Sequence, residues 1–392
     1  VNTEINSEKA VLLLGAMGFW VMGDNYAASP MLVDIAQNFG LGIGTAAMVV
    51  VAYMIPFGFF TFIFGPLADK HGKVRIVTLA SLGTAVFSSM GALAFNFPFL
   101  IAVRAVNGGF AAAILPVSVS YIGDIFKEPG AEMNAIGRMM GMFFLGAAAA
   151  TAIGGGLSFL GSWRLVYLTY GVAEFIIVIS IFRTLEYDKG TVEELSYRNA
   201  YGEAFSRPEL LKTVLLLFLV GFAVFGSFTY LGDFLVEMTG FNIMTVGLIM
   251  ALFGLAAYTG GRRVGNFRQK LGPKLFILAG IIALISWLPL GFWPGLIFVF
   301  PALIGFGLAF VILQSTILVT AQKQMPRQRG TVMSLASFNM FIGGGTGVAV
   351  NRFLLRFIGY QAVYLTAGLA MFAAGILIFR RIVHLTHMEG SS

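Results

Sequence analysis

Three ionisable residues stand where nearly every neighbour is apolar: Asp24 in GFWVMGDNYAASP, Arg104 in FLIAVRAVNGG and Glu174 in LTYGVAEFIIV. A lone charge in such surroundings is expensive, so these residues point to pairing, proton exchange or ion holding. Asp24 and Arg104 carry opposite charges and can neutralise each other. Glu174 has no base in its own segment. It is a second titrating group, a counter-charge for a cation, or a carboxyl kept protonated. A further concentration occurs in GPLADKHGKVR (65–75), where Asp69, Lys70, His71, Lys73 and Arg75 crowd between two long greasy runs. Catalytic chemistry has no such foothold. Cysteine is absent, the three histidines (His71, His384, His387) lie at or beyond the edges of the apolar runs, and no nucleophile–base pair stands out. GGGTG (343–347) lies inside an apolar run and follows no strand, so it is no nucleotide loop. An enzyme, a metal site and a bound cofactor are therefore not expected.

The elements that must hold these charges follow from composition. The chain has 392 residues, 58% hydrophobic and 11% charged, against about 25% charged in a soluble domain. Such a chain belongs in a lipid bilayer. A spanning helix needs about 20 mostly apolar residues, and twelve segments qualify: 9–35, 44–68, 74–95, 97–124, 134–159, 163–183, 208–235, 242–262, 274–292, 295–320, 330–354 and 361–382. They lack a ten-residue alternating pattern, so they read as helices rather than barrel strands. The N-terminal VNTEINSEKA lacks the basic start of a signal peptide, and the first run reads as a retained helix. Asp24 and Arg104 then fall at overlapping depths on spans one and four.

With both termini cytoplasmic, nearly all Lys and Arg fall on the inner side; Arg164, Arg352 and Arg356 fall outside and Arg104 lies within a span. That is the positive-inside bias. The net charge of +7 therefore reports topology and not a nucleic-acid partner. The longest polar stretch, 183–210, divides the chain into 1–184, a linker at 185–207, and 208–392, each half with six spans. The halves repeat. GPLADKHGK (65–73) falls over GNFRQKLGP (265–273) at a shift of 200, while VYLT (166–169) recurs at 363–366 and Gly146 falls on Gly343 at a shift of 197. Two parallel six-helix repeats with a site at their interface form a known transporter plan.

On these residues the chain resembles the major facilitator superfamily over essentially its whole length. Its signature between spans two and three, Gly-x-x-x-Asp-Arg/Lys-x-Gly-Arg/Lys-Arg/Lys, is met by Gly65, Asp69, Lys70, Gly72 and Lys73; Val74 replaces the last base and Arg75 follows. The resemblance implies an all-α membrane fold of twelve helices in two pseudo-symmetric bundles. It also implies a cytoplasmic latch in which Asp69 caps a helix or pairs with a base while Lys73 or Arg75 reaches Asp124. Arg104, followed by Gly108, Gly109 and Ala111–Ala113, is similar to the family's fourth-helix signature, where the arginine sits near a proton-coupling acid; Asp24 is the partner expected here. A structural ion pair is the alternative. In span five, Gly137, Gly146, Gly154 and Gly155 fall on the glycine pattern of proton-linked exporters, but Ala150 and Thr151 replace its Gly-Pro.

The closest likeness is to the twelve-span drug:proton antiporters. It implies a proton gradient as energy source, a small-molecule substrate, protons and lipid as partners, a monomer, and a bacterial inner membrane. The helices expected to line the cavity offer Trp20, Asn25, Tyr26, Met139, Phe143, Tyr230, Phe253, Gln314 and Asn339, with Asp233 at the mouth attracting cations. Few polar groups among many apolar ones suit an amphipathic cargo. The rival readings are an exporter of a sugar or small metabolite and a non-transporting receptor.

Overall fold

The computed structural model describes residues 2–46, 48–159, 162–292 and 295–389. They form sixteen helices: α1 (Asn2–Phe39), α2 (Ile43–Ala46), α3 (Met48–His71), α4 (Lys73–Ala92), α5 (Phe97–Ala111), α6 (Ile114–Ile125), α7 (Pro129–Phe159), α8 (Trp163–Thr184), α9 (Tyr197–Phe205), α10 (Pro208–Thr239), α11 (Ile243–Gly261), α12 (Val264–Leu271), α13 (Lys274–Phe292), α14 (Leu296–Gln324), α15 (Arg329–Phe357) and α16 (Tyr360–Glu389). Among the described residues, eleven spans are long and apolar enough by length and composition to cross a membrane, α5 and α6 counting as one. The twelfth span is α1, which carries the polar pair Asp24 and Asn25 and packs chiefly on α7 and then on α8. The helices α2, α9 and α12 are short connectors.

Polar residues stop the apolar runs where the chain must turn. Asn96 accepts from the Phe99 N–H to start α5, Ser162 from Arg164 to start α8, and Asn242 from Thr245 to start α11, each satisfying a backbone donor that the first helical turn leaves open. The repeat is visible in the backbone. Gly40 and Gly240, and Gly72 and Gly272, adopt positive φ at a spacing of 200 residues. The motif between spans two and three, expected as a loop, is helical up to His71 and again from Lys73, with Gly72 alone between.

The first half is α1 and α3–α8, and the second is α10, α11 and α13–α16; each packs chiefly on itself. They meet along two seams, α7 on α11 and α3 on α15. In the first seam Gly137 and Gly261 face each other so closely that a side chain on either would strike the other's backbone. Small residues allow this approach, which is how helices gain dispersion energy where no hydrophobic effect drives them together. Gly146 likewise lies on the Phe19 carbonyl of α1, and its repeat mate Gly343 on the Phe218 carbonyl of α10. α7 runs unbroken through Ala150 and Thr151, where the family pattern has Gly-Pro. Overpacking a tight contact costs about 1–3 kcal/mol, so Gly261→Leu is expected to lower the unfolding temperature in detergent by several degrees. An unchanged melting curve would contradict this packing.

Candidate functional site: an apolar cavity beside a buried ion pair

A cavity of about 770 Å³ lies between the halves. Its walls come from α1 (Met22, Asn25, Tyr26), α3 (Val50 to Phe62), α10 (Phe225, Thr229) and α15 (Phe338 to Val348). Counting back from the basic ends of α3 and α15 at 1.5 Å per residue, it begins roughly 14 Å in and reaches roughly 30 Å. Phe62 and Phe338, with ring centres 4.5 Å apart, close it on the basic side, and Phe57 meets Phe341 at 4.8 Å further in. Phe225 stacks on Phe341 and Phe144 on Phe225, at 5.5 and 5.7 Å, and Phe144 meets Phe310 at 4.5 Å. This aromatic floor runs across both halves.

Directly behind Asn25 lies the ion pair. Arg104 Nη1 donates to Asp24 Oδ2 at 2.9 Å, and Asn107 Nδ2 donates to the same oxygen at 2.7 Å. Both charges are about 1% exposed. The guanidinium sits over the Tyr53 ring at 4.5 Å and near the Tyr167 ring at 5.3 Å, where attraction to the π-face adds to the ion pair. Tyr53 also lines the cavity, so one ring separates the cargo space from the buried charges. Asp24 Oδ1, Arg104 Nη2 and Asn107 Oδ1 make no hydrogen bond with the protein. Such a pair has unused capacity for protons, cargo or rearrangement. Glu174 on α8 is fully buried with Thr84 beside it, and feels the charges of Asp24 and Arg104.

Asn25 and Tyr26 are the expected cavity residues that line this space. The others lie elsewhere, because the α7–α11 seam is closed by glycine contacts and the cavity sits to the α3–α15 side. Trp20 packs edge-on against Tyr170 at 5.3 Å. Met139 is buried in the core, and Phe143 fills the space at Gly18. Tyr230 donates to the Val348 carbonyl, Asn339 to the Leu335 carbonyl of its own helix, and Gln314 Nε2 approaches Met340 Sδ at 3.0 Å. Phe253 joins the floor against Phe144 and Phe310. The side chains of Asp233 and Thr151 lie outside the described residues. In α7, Gly154 packs near Ala27 of α1 and Gly155 is half-buried.

At the basic end the expected latch residues assemble, with partners the sequence reading missed. Lys73 Nζ reaches Asp124 Oδ2 at 2.8 Å, while Arg75 is exposed. Lys70 is half-buried at the end of α3. Asp69, 1% exposed, lies 3.8 Å from Lys73 Nζ in its own half and also spans the seam: it accepts from the Gly330 N–H, the Thr331 N–H and the Thr331 hydroxyl, each at 2.8 Å. A carboxylate at the start of α15 meets the open donors and the positive end of the helix dipole. Gly65 has its Cα against Gly330, so α3 can come this near. Arg329 adds a second crossing, with Nε 3.3 Å from Asp124 and Nη1 3.3 Å from Glu132. Glu132 and Arg329 lie 197 residues apart, the offset that also relates Gly146 to Gly343. They are repeat mates that meet across the pseudo-two-fold axis, and this offset was the signal that would have found them.

The linker straps the same end. Asp188 accepts from the N–H groups of Lys73 and Val74 at 2.7 Å. The Thr191 N–H donates to the Asp69 carbonyl and its hydroxyl to the Arg327 carbonyl. The Tyr201 hydroxyl donates to the Phe62 carbonyl at 2.7 Å, and burial raises its pKa above the ordinary tyrosine range, keeping that proton in place.

Comparison with known proteins agrees with this architecture. The family described as Major Facilitator Superfamily matches residues 14–348. An uncharacterized MFS-type transporter, YceJ of Bacillus subtilis (strain 168), is 24% identical over 355 residues, covering 88% of this chain and 89% of that protein. The chloramphenicol resistance protein of Streptomyces lividans is 24% identical over 288 residues, 71% of this chain and 69% of that one. Among solved structures, the human organic anion transporter MFSD10 superposes with a TM-score of 0.76 at 16% identity, over 95% of this chain and 99% of its own. FucP in its outward conformation superposes with a TM-score of 0.74 at 16% identity, over 95% and 98%. At such identities the solved structures speak for the fold alone. With the match covering most of its length, the chain belongs to the major facilitator superfamily, as an integral membrane transporter of small molecules rather than an enzyme.

Proposed function

We propose that the protein is a proton-coupled exporter of amphipathic small molecules, working by alternating access between its two halves. The single observation that carries this reading is the placement of the Asp24–Arg104 pair immediately behind Asn25 and Tyr53 on the wall of an apolar cavity. A cargo pressing on Tyr53 or Asn25 changes the surroundings of Asp24. A proton arriving on Asp24 releases Arg104 and reshapes the wall. Binding and protonation are then linked through a shared site, and each disfavours the other by the same free energy.

The lining supports an amphipathic cargo rather than a sugar, since its polar side chains are few: Asn25, Tyr26, Tyr53, Thr61 and Thr229. The similarity to a chloramphenicol resistance protein points the same way. The bias of Lys and Arg supports a cytoplasmic basic end with both termini on that side, and the bacterial relatives support an inner-membrane location. In that orientation the present conformation is sealed on the cytoplasmic side by Asp69 and Arg329. Glu174, buried near Asp24, is the second candidate for the travelling proton. Proteoliposomes carrying an imposed pH gradient are expected to accumulate a lipophilic amine and not a hexose, with proton flux in the opposite direction. Uptake that ignores the gradient, or that favours the hexose, would remove the proposal.

A further inference from the structure

The two seams between the halves are related by the internal repeat, yet they are built differently. On one side α7 meets α12 and α11 backbone against backbone, from Gly130 on Gly265 of α12 through Gly137 on Gly261 to Leu145 on Gly254 of α11. On the other side α3 and α15 touch at Gly65 and Gly330, then through Phe62 and Phe338 at 4.5 Å and Phe57 and Phe341 at 4.8 Å. From those rings outwards the cavity lies between the two helices. Its rim residues there are apolar and outward: Met54 is 44% exposed, Phe59 68% and Ile342 48%. These residues lie at the depth of the acyl chains, where an exposed Phe or Met meets lipid. At the inner wall the Asn25 amide, 5% exposed, has its Oδ1 without a hydrogen-bond partner. A site that is apolar at its rim and holds one unused acceptor at its wall has a direction built into it.

We propose that the cavity opens sideways through the α3–α15 seam into the leaflet farther from the basic end, and that it takes a single-chain amphiphile. The tail lies in the seam among the acyl chains, and a hydrogen-bond-donating head, such as a primary ammonium, reaches Asn25 Oδ1. The α7–α11 seam stays shut, so exchange with lipid is one-sided. This deepens the reading of the same site as a transport cavity and rests on it. Alkyl tails partition into lipid by about 0.8 kcal/mol per CH₂, so the bilayer itself concentrates such a cargo at the opening.

The chain has no cysteine, which makes site-specific labelling direct. Thr229→Cys and Met54→Cys, on opposite walls of the cavity, would each carry a small fluorophore in reconstituted full-length protein. Phospholipids brominated on the acyl chains are expected to quench both labels, and aqueous iodide to leave both bright. Dodecylammonium is expected to relieve the lipid quenching at Thr229→Cys, and Asn25→Leu to raise the concentration required about tenfold, the effect of one lost hydrogen bond. Quenching of Thr229→Cys by iodide and not by bromolipid would mean a water-filled vestibule and would overturn the lateral route. Relief that is absent, or indifferent to Asn25→Leu, would overturn the head-group assignment. The same preparations are assayed for gradient-driven amine uptake. Iodide quenching in a protein that still transports rejects the lateral route alone, whereas absent uptake with lipid quenching intact rejects the transport reading instead.

Discussion

Asp24→Asn is expected to abolish gradient-driven accumulation while leaving downhill exchange of cargo measurable. The substitution keeps the shape of the side chain and removes its charge, so Arg104 becomes a buried cation with no counter-charge. Breaking such a pair by removing one partner costs about 3–5 kcal/mol, some of it softened by the Tyr53 and Tyr167 rings that face the guanidinium. A marked fall in thermal stability should therefore accompany the loss of coupling. The double variant Asp24→Asn with Arg104→Gln separates the two roles. It removes both charges, and stability should largely return because neither group is left unpaired. Coupling should not return, because no carboxyl remains to carry the proton. Recovery of proton-linked accumulation in the double variant would mean that the pair is purely structural.

Asp69→Asn is expected to loosen the basic end. The carboxylate accepts three hydrogen bonds from the first turn of α15, in a site where both partners are buried. Hydrogen bonds to a charged group contribute about 1.5–3 kcal/mol each, and an amide turns its NH₂ towards donors that it cannot serve. Loss of about 2 kcal/mol from the sealed state shifts the balance between conformations roughly thirtyfold. Ser334 is fully buried against Gly65 in this seam. A Ser334→Cys protein should thus react slowly with a membrane-impermeant maleimide, and at least ten times faster, by rough estimate, once Asp69→Asn is added. Equal rates in the two proteins would show that Asp69 does not hold the seam.

Much of the architecture was legible in the sequence because lipid leaves the backbone few options. Run lengths marked the spans, whereas the polar residues that cap α5, α8 and α11 emerged only with the fold. The depth arithmetic that set Asp24 beside Arg104 needed only the helical rise. The choice between Lys73 and Arg75 was not legible, because it depends on helical phase: α4 begins immediately after Gly72, which turns Lys73 inward and Arg75 outward. The cavity's position was missed for a related reason. Sequence places both seams symmetrically, and only the match of Gly137 to Gly261 and Gly141 to Tyr258 shows that one of them closes. Span four breaks between Ala111 and Ile114, within the small-residue run after Arg104. Asp69 was expected to cap a helix or pair with a base, but nothing local says that the helix whose start arrives at its carboxylate is α15 of the other half. The polar groups of the site lie on helices that meet only after folding, so their grouping is a tertiary fact.

Alternating access is tested most directly by measuring both ends of the molecule at once. Spin labels on Lys127→Cys and Arg327→Cys report the basic end, and labels on Phe95→Cys and Phe241→Cys report the opposite end; all four positions are exposed. Two conformations are expected, in which the first distance lengthens as the second shortens, with pH and a lipophilic amine changing their proportions and Asp24→Asn removing the response to pH. A single set of distances, or two ends that open and close together, would contradict the account.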